Sequence, residues 1–259
     1  MADLLLKQRS IGRIEGVLFD KDGTLSHSEP ELLRLAESRI HAACELWQER
    51  HGDAPASRDS LLSQLRLGFG LRPNGLDPAG TLAVADRRDN LTSMATVFCL
   101  QGATWPDALC LAKESFDGVD RETEARAPLS ALFPGAAALL AQLDQAGVSM
   151  AVISNDTSSG IHRFLNGHGL TDQFQAIWSA DDHPKKPDPG AVQALCQKLG
   201  LNPRQCALIG DAETDLRMAH AAGIGLVIGF QGGWSLAPSL PSCSHAFQHW
   251  NEIEVGTAA

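Results

Sequence analysis

Gly16-Val-Leu-Phe-Asp20-Lys-Asp22-Gly-Thr24-Leu25 joins a short apolar run to two aspartates one residue apart, then a glycine and a threonine. A continuous apolar run is what a parallel strand buried on both faces looks like in sequence. Carboxylates at its carboxyl end stand where open α/β sheets bind ligands. Taken alone, an Asp-x-Asp-Gly stretch also reads as a turn, because Asp and Gly both favour turns. The rest of the chain decides between the two readings.

Outward from this stretch the pattern changes twice. Residues 14–20 read as a first strand. From Pro30 to about Gly118 the apolar residues follow a helical period, as at 32, 33, 35, 36, 40, 43, 46 and 47, with further helices near 57–67, 79–100 and 105–117. No strand-like alternation is expected in that block. After Pro128 strands and helices alternate. A helix opens at Phe133-Pro134-Gly135 and ends near Gly147, and a strand follows over Val148 to Ile153. Then come a helix at 158–167, a strand from Ala176, a helix from Pro189 to Leu199 and a strand over Cys206 to Gly210. A helix from Asp215 to Ala222 and a strand from Ile224 to Ile228 complete the series. Such alternation predicts an α/β fold, a doubly wound parallel sheet, here with an inserted all-helical subdomain. The expected division is a core of residues 1–28 and 126–259 and a helical insertion of 29–125.

The chain has 259 residues, 44% of them hydrophobic, and a net charge of −10. That composition supports a packed core and argues against disorder. It also argues against a nucleic-acid-binding surface, which would be basic. No stretch approaches the ~20 apolar residues of a membrane span, and the N-terminal apolar run is too short for a signal peptide. The cysteines (Cys44, Cys99, Cys110, Cys196, Cys206, Cys243) show no zinc-binding or disulfide-framework spacing. They are expected to be reduced, mostly buried thiols of a cytoplasmic protein, a monomer or homodimer.

Each predicted strand is followed by polar residues suited to one chemistry. The first ends in Asp20, Asp22, Gly23 and Thr24, and the second in Ser154-Asn155-Asp156. A loop after the third holds Lys185-Lys186-Pro187, and the fourth ends in Gly210-Asp211-Ala-Glu213-Thr-Asp215. A parallel sheet brings all of these to one edge, where its binding cleft lies. Acids, a hydroxyl and a lysine in one place suit phosphoryl chemistry around a magnesium ion. Other motifs fail. Gly70 and Gly75 have P-loop spacing, but Leu76-Asp77 stands where Lys-Ser/Thr is needed. Gly223-Ile-Gly225 is followed by Ile228 in place of a third fingerprint glycine.

This set resembles the haloacid dehalogenase superfamily of phosphotransferases over the whole chain. Its motifs D-x-D-G-T, a strand-ending Ser or Thr, Lys before Pro, and G-D-x-x-x-D match Asp20–Thr24, Ser154, Lys186 (with Lys185 the alternative) and Gly210, Asp211 and Asp215. The helical block looks like the cap of phosphoglycolate-phosphatase-like members. The resemblance implies hydrolysis of a phosphate monoester of a small metabolite through a phosphoaspartate. Asp20 is then the nucleophile and Asp22 the general acid and base. Gly23, Thr24, Ser154, Asn155 and Lys186 bind phosphate, and Mg²⁺ is held by Asp20, Asp22 (through its carbonyl), Asp211 and Asp215.

Asp22 disfavours the family's dehalogenases, which lack this second aspartate, and its phosphonatases, which depart at the same position. A β-phosphoglucomutase-like phosphomutase and a non-catalytic binding protein of the same fold remain as alternatives; the complete motif set argues against the second. Within the cap, Arg72 in Gly68-Phe-Gly-Leu-Arg72-Pro-Asn74-Gly75 is a candidate to grip a substrate carboxylate or second phosphate. Lys21 is expected to point away from Asp20 and Asp22. Trp47 and Trp105 are expected to pack within the cap, and Trp234 either to line the entrance or to pack on the core.

Overall fold

A computed structural model describes residues 1–52, 55–124 and 128–256. The chain forms two compact units, one of Met1–Ser28 with Leu129–Ala259 and one of Glu29–Pro128. The expected boundary between residues 125 and 126 lies outside the described residues.

The first unit is built on a six-stranded parallel sheet. Its order is His245–Phe247, Leu226–Phe230, Cys206–Gly210, Gly16–Phe19, Ser149–Ile153 and Ala176–Trp178. Gly16–Phe19, first of these in the chain, sits between strands that lie on opposite sides of it: the chain goes first to Ser149–Ile153 and later to Cys206–Gly210. It is therefore the point where the winding reverses, and the crevice for a ligand lies beyond its carboxyl end.

The strands separate their side chains by a period of two. Val17, Phe19, Met150, Val152, Ala207 and Ile209 join one apolar cluster with helices Ala136–Gln145 and Ser158–Gly167. Leu18, Ala151, Ile153 and Leu208 join the other with helices Pro189–Leu199 and Glu213–Ala222. Both faces are covered, which explains why the strands read as unbroken apolar runs.

Three features of this unit escaped the periodicity. Ala2–Leu6, Arg9–Ile14 and Ile253–Val255 form a three-stranded antiparallel sheet. Ser26–His27 pairs with Ala131–Leu132, close to the two points where the unit's chain breaks off and resumes. His245–Phe247 adds the edge strand. The pairs of two or three residues are too short to show a period, and Ala2–Leu6 and Arg9–Ile14 do not alternate apolar and polar residues strictly.

The second unit contains helices Glu29–His51, Pro55–Phe69, Thr81–Val84, Arg87–Leu100 and Trp105–Glu124. It is not all-helical: Leu71–Arg72 and Gly75–Leu76 form a small hairpin at the Gly/Pro-rich break. The single helix expected over 79–100 is two, because Asp86 accepts a hydrogen bond from the Asp89 amide at 2.9 Å and starts a new one. Trp47 is buried and stacks on Phe98, whereas Trp105 is 47% exposed and does not pack as expected. Arg39 is buried over the Phe116 ring and pairs with Asp120 at 2.7 Å. Arg72 pairs with Asp77 at 2.9 Å across the hairpin loop.

Of the cysteines, Cys44, Cys196 and Cys206 are buried, Cys99 and Cys243 half-buried and Cys110 exposed, so the expectation of mostly buried thiols holds for half of them. All are free. No described helix is long and apolar enough to cross a membrane.

Candidate active site

Asp20 follows the last residue of the central strand, and its amide donates to the Ile209 carbonyl at 3.0 Å, continuing the ladder one residue further. The chain then turns back: Ser26 and Thr24 donate their amides to the Lys21 carbonyl, and Gly23 to the Ser26 carbonyl. Gly23 has φ +80, and a Cβ there would stand 2.5 Å from both Asp211 Oδ2 and the Trp234 ring. Only glycine satisfies both the backbone and the space. Gly233 meets the same loop from the other side, where a Cβ would be 1.9 Å from the Gly23 carbonyl oxygen.

Lys186 arrives from the loop after Ala176–Trp178. Trp178 Nε1 holds that loop by donating to the Pro184 carbonyl at 2.9 Å. The Lys186 ammonium donates to Asp20 Oδ1 at 2.7 Å, Asp215 Oδ2 at 2.8 Å and the Ile153 carbonyl at 3.3 Å. Its three donors are thereby used. Burial opposes its charge, yet the two carboxylates more than compensate and hold its pKa above the usual lysine value.

Asp211 is buried at the end of Cys206–Gly210. Thr24 Oγ1 donates to its Oδ1 at 2.7 Å and Trp234 Nε1 to its Oδ2 at 2.5 Å. Burial first, then the neighbouring Asp20 charge, raises its pKa well above the carboxylate range. Asp215, in the first turn of Glu213–Ala222, is pushed up to about 6 by burial and Asp20, with Lys186 opposing. Three buried carboxylates thus stand close to one another with one ammonium, which pairs with Asp20 and Asp215, an excess of negative charge that a divalent cation would neutralise. Among the described residues no three His, Cys, Asp or Glu side chains form a ready-made cation cage. A site for Mg²⁺ does not need one, since that ion is commonly held by one or two carboxylates with carbonyl, water and phosphate oxygens. The donors present fit Mg²⁺.

Ser154, buried at the end of Ser149–Ile153, donates its amide to the Trp178 carbonyl at 2.9 Å, and its Oγ accepts from the Asp156 amide at 3.1 Å. Asn155 stands half-buried between them. Asp22 Oδ1 accepts from Ser28 Oγ at 2.5 Å and from Lys21 Nζ at 2.6 Å.

Several expectations change. Lys21 does not point away: it is buried and paired with Asp22, and also with Asp156 at 3.1 Å. Gly23 and Thr24, expected as phosphate donors, commit their donors inside the protein, Gly23 to Ser26 and Thr24 to the Lys21 carbonyl and Asp211. They shape the loop and orient Asp211. Trp234 is buried, as expected for packing on the core, and its indole N–H is in addition aimed at Asp211. Nothing in the sequence marks Ser28, Asp156 and Trp234 as partners of Asp22, Lys21 and Asp211, because these contacts join loops and carry no spacing signal.

A family model of haloacid dehalogenase-like hydrolases matches residues 14–223. The chain belongs to that family. This haloacid dehalogenase-like hydrolase is 32% identical over 236 residues to the phosphoglycolate phosphatase of Yersinia pestis, covering 89% of this chain and 88% of that one. It is 29% identical over 225 residues to the phosphoglycolate phosphatase of Rhodospirillum rubrum, covering 86% and 82%. Its fold matches a predicted phosphoglycolate phosphatase from Haemophilus somnus 129PT, with a TM-score of 0.64 at 21% identity over 93% of this chain and 96% of that one. A β-phosphoglucomutase from Clostridium difficile shares the fold with a TM-score of 0.58 at 16% identity, over 92% of each chain.

Proposed function

We propose that this hydrolase is a Mg²⁺-dependent phosphatase that cleaves phosphate monoesters of small metabolites, of the phosphoglycolate kind, through a phosphoaspartate on Asp20. The observation that carries this reading is the meeting of Asp20, Lys186, Asp215 and the Thr24–Asp211–Trp234 group at the carboxyl edge of one sheet.

In this reading a carboxylate oxygen of Asp20 attacks phosphorus and the bond from phosphorus to the ester oxygen breaks. That oxygen takes a proton from Asp22 and leaves as the alcohol. Water then attacks the phosphorus of the acyl phosphate, its proton passes to Asp22, and the bond to Asp20 breaks to release inorganic phosphate. Ser154, Asn155 and Lys186 hold the phosphoryl oxygens as charge shifts among them. Asp20, the Asp22 carbonyl and Asp211, with Asp215 in support, would hold Mg²⁺, which would supply the positive charge that lets two anions approach. Without that charge and Lys186 the carboxylates would repel the substrate. The free thiols fit a reducing compartment such as the cytoplasm.

The test is a screen of p-nitrophenyl phosphate and alkyl phosphates, 2-phosphoglycolate among them, with Mg²⁺, with EDTA, and with D20N. Phosphate release should vanish in EDTA and fall roughly 10³-fold or more in D20N. Undiminished hydrolysis by D20N would remove the phosphoaspartate from the account. Interconversion of sugar phosphates with little net phosphate release would identify a phosphomutase on this fold.

A further inference from the structure

Lys21 has no place in the reaction just given, yet it is built into the loop that carries both catalytic aspartates. It is 5% exposed, with its ammonium 2.6 Å from Asp22 Oδ1, 3.1 Å from Asp156 Oδ2 and 5.7 Å from the centroid of the Phe164 ring. Burying so long and charged a side chain costs conformational entropy and solvation. An apolar residue of similar volume would avoid both costs. The direction of its bonds gives the charge a use. Lys21 and Ser28 donate to the same oxygen of Asp22, and neither bonds to the other. Two donors converging on Oδ1 fix the rotation of the carboxyl group and leave Oδ2 to meet the reacting oxygen. Asp156, the second partner of the ammonium, is itself tied by the Thr157 amide to its Oδ1 at 2.7 Å, next to helix Ser158–Gly167. The ammonium therefore also joins the loop of Asp20 and Asp22 to the loop of Ser154 and Asn155.

We propose that Lys21 is a positioning residue for the proton-transfer steps, holding Oδ1 of Asp22 so that Oδ2 carries the proton to the departing ester oxygen and takes it from water. This rests on the phosphatase reading with Asp22 as acid and base. Lys21 acts through Asp22 and touches no reacting atom.

The test compares kcat/KM for p-nitrophenyl phosphate with that for the fastest alkyl ester in the screen, in the full chain and its K21M, K21Q and D22N variants. Since kcat/KM reports events only up to departure of the ester oxygen, it isolates the proton donated to that oxygen. A p-nitrophenolate leaves without a proton, whereas an alkoxide needs one. K21M and K21Q should lose about 10- to 100-fold on the alkyl ester, the scale of a misplaced catalytic group, and less than about 3-fold on p-nitrophenyl phosphate. D22N should show the same split more strongly, as expected for loss of a general acid. Equal losses on both esters, or no loss on the alkyl ester, would overturn the role of Lys21 while a D22N split leaves the phosphatase reading standing. Should K21M not fold, K21Q decides by the same ratio. A wild-type protein that hydrolyses neither ester removes the phosphatase reading and this proposal together.

Discussion

Lys186 Nζ sits 2.7 Å from Asp20 Oδ1, although 166 positions separate the two residues. The same ammonium is 2.8 Å from Asp215 Oδ2. One ammonium thus holds the proposed nucleophile and the acid behind the proposed cation site in a fixed relation, and both carboxylates are almost wholly buried.

Removing that ammonium leaves two buried carboxylates facing each other. K186M should destabilise the protein by about 3–5 kcal/mol, the cost of breaking a buried pair on one side. K186M/D215N should recover part of that loss, because it removes one of the stranded charges. Urea denaturation followed by circular dichroism measures both, and equal midpoints for wild type and K186M would contradict the prediction.

Acidity provides a second check. The Asp215 pKa is raised to about 6 and that of Asp211 is raised as well, chiefly by burial. A carboxyl that holds its proton more tightly when folded favours the folded state at low pH. That contribution is complete below about pH 4, the unfolded value, and is lost as pH rises through 6. In EDTA the melting temperature should therefore fall between pH 4 and pH 6.5 more than in a D211N/D215N variant. Mg²⁺ should raise it at pH 7.5 by several degrees, and by less at pH 5. A Mg²⁺ shift independent of pH would place the cation away from these acids.

Trp234 aims its N–H at Asp211 Oδ2 while its ring lies against Gly23. W234F keeps most of the ring and deletes the donor. Affinity for Mg²⁺ should drop about 10-fold or more, as for other groups that orient a metal ligand from behind, with little change in melting temperature without metal. Isothermal titration calorimetry with MgCl₂ reads the affinity directly, and an unchanged dissociation constant would assign Trp234 to packing alone.

Gly23 is constrained twice, by its φ of +80 and by the 2.5 Å that a Cβ would leave to Asp211 and Trp234. G23A should cost about 1–3 kcal/mol from the backbone alone and should displace Asp211. Thermal melts and phosphatase assays should both show the loss; a fully active, equally stable G23A would mean that the loop tolerates a different path.

The parallel sheet was legible because its strands are buried on both faces and so appear as unbroken apolar runs, as in Gly16–Phe19 and Cys206–Gly210. One capped helix is equally clear: Pro189–Leu199, with Asp188 accepting at its start, has the bounds that the sequence predicts, whereas the Asp86 cap inside 79–100 goes unmarked by the period. The two-residue strands of the hairpin at 71–76 and the pair at Ser26–His27 were invisible, since a period cannot be seen in two residues. Asp20, Ser154, Lys186 and Asp211 each follow a strand or occupy a loop after one, and a parallel sheet brings such positions to one edge.

What the sequence determined by itself is the alternation of five of the six central strands with their helices, the long, mostly helical stretch between Gly16–Phe19 and Ser149–Ile153, and which acids, hydroxyl and lysine stand at or just beyond strand ends. Tertiary structure alone decided which polar group meets which. Lys21 could have been solvated; it turned out to be clasped between Asp22 and Asp156. Thr24 could have faced phosphate; it orients Asp211. The reason is physical: local pattern sets where the backbone goes, whereas partners of a buried polar group are chosen by the demand that every charge and donor removed from water find a counterpart, and those counterparts lie far away in the chain.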